Sequence, residues 1–488
     1  MKAIRAGMGR LAAVLMVAAL AGGCQEFLDV NENPNAPESA RVDLRLPALI
    51  GLFGHAVYYG DTQLWGGEWT QQFSYNRNTR SYAEIHRYEL QDTDGTHAWN
   101  FYYATMLNEA RLMMAETDPA TDGAYHGISK FLWAWTWAHV TDMWGPVPFS
   151  EAFDTRIREP KYDDQQEIYP QVLEWFEEAI EDMQRPANRV PGENDLLFAG
   201  DMTRWVKLAR TVQARHELRL AYAPGENMTA RAQAALDALQ QGLQSNADDA
   251  DFIYPGGENG LRNPQYTFQE LSGLLVASEY FVELLRSNDD PRLSIAVRPA
   301  LFDSVRGEIV YRGHENGADS EADSTMSHIG HFFSAEDAPL TWGSYADAKF
   351  TEAEARLIVS GPGAADAPYR AGIRASMEKW GVAPAAIDAY LATKPALTAV
   401  ADPLREIIME KYVANYLTVE PWNDWRRTGY PELEIVEGAL LNAIPQRIRT
   451  PGSELTNNVN RVRETGIDFG LEGMLHKVWW ASQGPPSF

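Results

Sequence analysis

The sequence predicts an all-α fold made of tetratricopeptide-type helix pairs, interrupted by one long, irregular, loop-rich insert. Three observations carry that reading. Apolar residues recur at three- and four-residue steps in one segment after another. No sustained set of alternating strands occurs in the 488 residues. The helical pattern lapses over residues 246–345, where Gly, Pro, Asn and Asp crowd between Phe252, Tyr254, Tyr266, Phe268, Phe332, Phe333 and Trp342.

Taken in order, residues 25–47 read as an extended polar leader, with Asn and Pro at turn spacing from Asn31 to Pro37. Helical pattern begins near Leu49. Trp65-Gly66-Gly67-Glu68-Trp69 and Tyr75 fall in a Gly-containing stretch read as loop. Asp92-Thr93-Asp94-Gly95 resembles the start of a calcium loop but lacks the later ligands, so it reads as a turn and helix cap. A helix over Thr96 to Glu116 ends at Asp118-Pro119. Tyr125 to Met143 is the next. Gln165 to Met183 follows, with Ile168, Val172, Leu173, Phe176, Ala179 and Ile180 in one stripe. Met202 to Tyr222 closes on Pro224-Gly225, and Thr229 to Leu243 takes Thr229 as its N-cap. Inside the insert a helix is expected over Ser272 to Leu285, and a short strand near Glu308 to Tyr311. Helices resume at Tyr345 to Val359, Tyr369 to Trp380, Pro384 to Leu391 and Asp402 to Leu417. Pro384 suits a first helical position, where no N–H is needed. Aromatic-rich loop and short helix follow Glu420. Paired helices at this spacing suggest a tetratricopeptide array, with turns of uneven length.

The N-terminus fixes a compartment. Lys2, Arg5 and Arg10 precede or flank the apolar run Leu11 to Leu20, and small residues lead into Cys24. This is a secretory signal over residues 1–23, too short to span a bilayer. Leu20-Ala21-Gly22-Gly23-Cys24 resembles a lipobox, in which the cysteine is acylated and becomes the first mature residue. Cys24 is the only cysteine. Disulfides and cysteine-ligated clusters are therefore excluded, and residues 24–488 are expected to fold as one domain around their own core. The net charge is −26, and losing the three basic residues of the signal makes it more negative. Such a surface repels nucleic acid and anionic headgroups and suits neutral or cationic ligands.

Signatures of catalysis are missing. There is no phosphate-binding loop and no nucleophile elbow. His216-Glu217 lacks the second histidine of a zinc protease, and His328 and His331 alone do not make a metal site. No cofactor, no metal and no enzymatic activity are expected. Aromatics are abundant, with 15 Trp. Trp133, Trp135 and Trp137 sit on a helix and read as core. Trp65, Trp69, Tyr75 and Trp342, flanked by Gly or small polar residues, are the candidate ligand-binding rings, because a flat ring suits the apolar face of a sugar. The competing expectation, that each packs under a loop, is as strong for any single ring.

Several segments resemble one family. Cys24 to Pro37 is similar to the mature start of the SusD/RagB family of outer-membrane nutrient-binding lipoproteins. Thr141-Asp142-Met143-Trp144-Gly145-Pro146-Val147-Pro148-Phe149-Ser150-Glu151-Ala152 resembles its helix-ending element, and Ser344 to Ala355 its "Y-A-E-x-x-F-x-x-A-E-A" helix. Ile407 to Tyr412, then Pro421-Trp422-Asn423-Asp424-Trp425-Arg426-Arg427-Thr428-Gly429-Tyr430-Pro431, resemble the closing block, continued by Ile444 to Arg447 and Asn457-Asn458. The resemblance implies tetratricopeptide-type pairs, lipid anchoring at the outer membrane facing the cell surface, and a SusC-like TonB-dependent transporter as partner. It implies capture of an oligosaccharide or peptide with no catalytic centre, and pairing of Arg426 and Arg427 with acids or backbone. It gives no ligand-binding residues. Two other classes stay open. One is a lipid-anchored glycoside hydrolase of helical fold. The other is a tetratricopeptide adaptor, against which the long insert argues.

Overall fold

Helix α1 (Val42–Tyr58) and helix α2 (Asp61–Trp69) begin the computed structural model, which describes residues 41–484 except 59, 76–83, 258–260, 272, 274 and 319–323. The signal segment, Cys24 and the turn-rich Asn31 to Pro37 lie outside the described residues. Helix α3 (Asp92–Asn100) runs through a π-helical stretch, Phe101–Leu107, into α4 (Asn108–Ala115). Then come α5 (Gly123–Trp144), α6 (Gln165–Gln184), α7 (Met202–Leu220) and α8 (Met228–Leu239). The insert carries α9 (Glu279–Ser287). The chain closes with α10 (Tyr345–Ser360), α11 (Pro362–Lys379), α12 (Pro384–Thr393), α13 (Pro403–Ala414) and α14 (Glu420–Thr428).

Packing follows chain order. Helix α5 lies along α6, α7 along α8, and α10 along α11. Each pair buries the stripe its sequence carries: Ile168, Val172, Phe176, Ala179 and Ile180 of α6 are all fully buried. The α5–α6 pair is unusually close. A Cβ on Gly127 would meet Met183 Cγ at 2.6 Å and Ala179 O at 2.7 Å, and one on Gly123 would meet Asp182 O at 2.4 Å. Two glycines one turn apart thus set the helix separation.

Helix α8 packs directly on α10, although the whole insert lies between them in sequence. The insert leaves and returns at one point, where Asp251–Phe252 pairs antiparallel with Leu340–Thr341. Lys379 of α11 fastens this neck, with Nζ 2.7 Å from Asp249 Oδ2 and 2.9 Å from Asp251 Oδ1. Further out, Phe73–Tyr75 pairs with Leu275–Ala277, so the insert is stitched to the chain after α2.

A buried ion network ties the array to the C-terminal helices. Arg215 holds Asp347 at 2.8 Å, and Arg219 holds Glu420 at 2.6 Å and also bonds Asp142. Arg427 reaches Asp424 at 2.6 Å and Glu354 at 2.7 Å, while Arg426 donates to the backbone oxygens of Asp142 (2.6 Å) and Gln446 (3.1 Å). The pairing expected of both arginines is present. Arg215, Arg219 and Arg427 each have a carboxylate counter-charge, whereas Arg426 is held by carbonyl oxygens.

The structure differs from the sequence reading in identifiable places. Helix α1 starts seven residues before Leu49, inside the expected leader, and accommodates Pro47. Residues 61–69 are helix rather than loop. Gly66 and Gly67 serve close packing there: a Cβ on Gly66 would lie 3.1 Å from Trp422, and one on Gly67 would lie 2.5 Å from the Phe73 ring. Helix α11 starts at Pro362 rather than Tyr369, because Pro362 occupies the first turn and Pro368 is tolerated within. The helix expected from Ser272 begins at Glu279, as Leu275–Ala277 is drawn into strand pairing. Glu308 to Tyr311 is not a strand.

Candidate functional site

Between α1 and α2 the chain reverses within a few residues. Gly60 permits this, since a Cβ there would lie 2.4 Å from Ala56 O. The reversal is clamped from below by Tyr102. Its hydroxyl donates to Ala56 O (2.8 Å) and lies 2.9 Å from Thr62 Oγ1 and 3.0 Å from His139 Nε2. One buried phenol therefore joins α1, α2 and α5. Burial drives His139 down to about 3, so it acts as a neutral hydrogen-bonding group.

Above this clamp opens a cleft of about 520 Å³, counting its mouth, lined by His55, Ala56, Gly60, Asp61, Leu64, His97, Ala98, Phe101, Tyr102 and Phe268. Phe101 and Phe268 are half-buried, while His55 and His97 are exposed. The His55 ring meets Phe101 edge-on at 5.9 Å, and His97 lies 6.5 Å from it. Both phenylalanines sit on π-helical turns, Phe101–Leu107 and Thr267–Leu271. A π turn inserts an extra residue and re-aims the side chains around it, and such turns recur at functional sites. Partial burial lowers His55, with His97 adding to the effect, and burial raises the Asp61 carboxyl against the opposing influence of His97. The cleft thus offers apolar rings on its wall and a carboxylate and imidazoles at its rim. That combination suits a ligand with an apolar face and a hydroxylated edge.

The rings expected to stack on ligand are elsewhere. Trp65 is 3% exposed, and Trp69, Tyr75 and Trp342 are 0% exposed. This corrects their reading as accessible loop rings. Trp65 and Trp69 lie on helix α2, and Trp69 packs edge-on against Trp422 at 5.1 Å while donating to Ile85 O at 3.0 Å. Tyr75 sits in a strand beside Phe73. Trp342 is wrapped by Phe53, Tyr58, Trp135, Trp205 and Phe252. Glycine next to an aromatic marks close packing here, not an open loop. Asp92 to Gly95 is the first turn of α3, where Asp94 Oδ2 accepts from Gln91 N at 2.8 Å, in keeping with a helix cap. His216 is buried near Tyr169, while Glu217 pairs with Arg231 at 2.8 Å, so the two do not act together.

A second hollow, at the seam of α10, α11 and the insert, is lined by Trp342, Trp380, Phe333, Arg215, Asp347 and Lys379 among others. Its cations are already satisfied by Asp347, Asp249 and Asp251, and most of its walls are buried. The open cleft is the better candidate. Sequence reasoning missed Asp61, His55, His97 and Phe101 altogether. They lie on α1, α2 and α3 with its π-helical continuation, and no spacing signal links them. Among the described residues no group of three metal-ligating side chains occurs, and no helix is long and apolar enough to cross a membrane.

The structure is thus an array of helix pairs with a stitched-on insert and one open, aromatic-walled cleft. The family profile described as "Starch-binding associating with outer membrane" matches residues 48–451, and the chain belongs to this SusD-like family. Members of the family are binding proteins. Among solved structures, a SusD/RagB family protein from Bacteroides thetaiotaomicron superposes with a TM-score of 0.78 at 22% identity, covering 92% of this chain and 100% of the other. A chitin-binding SusD homolog from Flavobacterium johnsoniae gives 0.78 at 21% identity, covering 90% and 99%. A protein described as chitin-binding gives 0.73 at 26% identity, covering 90% and 99%. No curated protein matches.

Proposed function

We propose that this protein is a surface nutrient-binding lipoprotein, anchored through Cys24 to the outer membrane. It captures an oligosaccharide, or a peptide, in the Phe101–Phe268 cleft and delivers it to a SusC-like TonB-dependent transporter. The observation that carries the reading is the convergence of two π-helical turns, each presenting a half-buried phenylalanine to one open cleft rimmed by Asp61, His55 and His97. Family membership and the chitin-binding relatives support a glycan over a peptide. The lipobox-like ending at Cys24 supports the anchor.

The test is calorimetry with chito- and malto-oligosaccharides and with mixed peptides, on the wild type and on Phe101→Ala. Loss of the ring should weaken binding by about 1–3 kcal/mol, the value of its buried area and specific contacts, with little change in melting temperature. Equal affinity in the two proteins would remove the cleft from the function. Release of reducing ends from the same oligosaccharides would instead favour the hydrolase. For the anchor, Cys24→Ala should shift the protein from the membrane fraction to the soluble fraction. Copurification of a transporter with the wild type but not with this variant is the expected partner signature.

A further inference from the structure

Asp61 is the odd member of the cleft. It is the first residue of α2, half-buried, and lines the cleft at its rim with His55 and His97. Two other first-turn acids hold arginines: Asp43 of α1 takes Arg41 at 2.8 Å, and Asp347 of α10 takes Arg215. No lysine or arginine among the described residues pairs with Asp61. His97 is the neighbour that favours its ionised form, and Asp94 opposes it. The helix N-terminus supplies some compensation. It does not supply the counter-ion that burial of a carboxylate calls for. The second hollow shows the contrast, since each of its cations already holds a carboxylate. The whole chain is also acidic, at −26, and such a field concentrates cations at a cleft rim.

We propose that the cleft selects oligosaccharides bearing free amino groups, glucosamine-containing chains, with the Asp61 carboxylate accepting the sugar ammonium while Phe101 and Phe268 hold the ring faces. This rests on the reading that the cleft binds glycan and specifies which class. A neutral chain makes ring contacts and ordinary hydrogen bonds only. An amine adds a charge-assisted hydrogen bond in a partly desolvated site, which is stronger than a neutral one. Burial raises the Asp61 carboxyl, and an arriving ammonium would favour its ionised form and reverse that penalty. His55, lowered by burial, adds no fixed positive charge to repel the amine near neutral pH.

The experiment compares glucosamine tetramer, N-acetylglucosamine tetramer and maltotetraose by calorimetry on the wild type, Asp61→Asn and Phe101→Ala, at low and high salt. The expected result is a preference for the glucosamine tetramer of about ten-fold over its acetylated counterpart. That ratio should shrink with salt, disappear once the pH is raised enough to discharge the amine, and fall to about one in Asp61→Asn. Melting curves establish that the variant is folded, and Asp61→Glu, which keeps the charge, should restore part of the ratio. Two outcomes overturn the inference alone: the two aminosugar tetramers bind equally to the wild type, or Asp61→Asn weakens all three ligands by the same factor. If no oligosaccharide binds, or Phe101→Ala changes nothing, the underlying glycan assignment of the cleft fails with it.

Discussion

Trp342→Ala separates a core ring from a ligand platform. Trp342 is fully buried, with Phe53 at 4.8 Å and Tyr58 and Phe252 stacked at 6.2 and 6.3 Å. An indole buries roughly 150–250 Å², which at about 25 cal/mol/Å² is about 4–6 kcal/mol of transfer energy. Alanine retains a share of that and the surroundings relax partially, leaving a cost of about 3–5 kcal/mol. The hydrogen bond from Tyr58 to Trp342 ends on the backbone oxygen, so the substitution keeps it. An unfolding entropy near 2.1 cal/mol/K per residue, summed over a cooperative unit of this size, is roughly 0.9 kcal/mol/K, so melting should fall by about 3–6 °C. Differential scanning calorimetry reads the fall, and titration with the oligosaccharides of the binding assay reads affinity at a temperature where the variant stays folded. Affinity is expected to hold within two-fold. A ten-fold loss of affinity with an unmoved melting temperature would refute the placement of this ring in the core and restore it as a binding residue.

Two other predictions concern buried carboxylates of opposite sign. Glu68 is fully buried, with no hydrogen bond to either oxygen and His86 Nδ1 at 3.6 Å, too far to bond, and burial raises its carboxyl well above the ordinary range. The unfolded chain releases that proton near pH 4.5 and the folded one later, so ionisation favours unfolding. Glu68→Gln should therefore raise the melting temperature at pH 7–8 and leave it almost unmoved at pH 4; no gain at pH 8 would refute this. Glu410 is the converse. Burial pushes it up, but the charges of Arg292 and Lys394, with hydrogen bonds from Lys394 and Tyr390, hold it down to about 2. Its contribution is present above the unfolded value of 4.5 and is lost as pH falls toward 2. Glu410→Gln should lower stability at pH 7 by about 3–5 kcal/mol, because Lys394 loses its carboxylate and Arg292 keeps only Asp290, and flatten the fall in melting temperature between pH 4.5 and 2. An acid limb as steep as that of the wild type would count against it.

The array was legible in the sequence wherever a helix is long and one-faced. The edges of α6 and α10 fall within a residue or so of their apolar stripes, and α5 and α7 are nearly as close. Capping chemistry was legible at Asp94, but the cap expected of Thr229 falls to Asn227, whose Oδ1 accepts from Ala230 N at 3.0 Å. The cleft was not. Its two π turns differ from an ordinary helix by one inserted residue, which leaves the three- and four-residue spacing of Trp99, Tyr102, Tyr103 and Met106 intact. Phe268 stood out as an aromatic of the insert, but Phe101 looked like one more helix residue. Glycine misled in the other direction. Gly66 and Gly67 read as loop signals in the sequence, whereas their missing side chains let Trp422 and Phe73 close over α2. A single sequence carries local conformational preference, while the partner that fills the space at Gly66, Trp422, comes from hundreds of residues away.

The narrow attachment of the insert has an evolutionary consequence. Its two ends are held together by Asp251–Phe252 against Leu340–Thr341 and by Lys379, and the helices on either side, α8 and α10, touch whatever lies between. Changing the length of such an excursion alters only the closure entropy of a loop whose ends are already joined, and each doubling costs about 0.6 kcal/mol. Changes of length in its exposed loops are therefore cheap, whereas Phe281 and Arg292, buried against Tyr412 and Glu410 of α13, tie the rest of the segment to the scaffold.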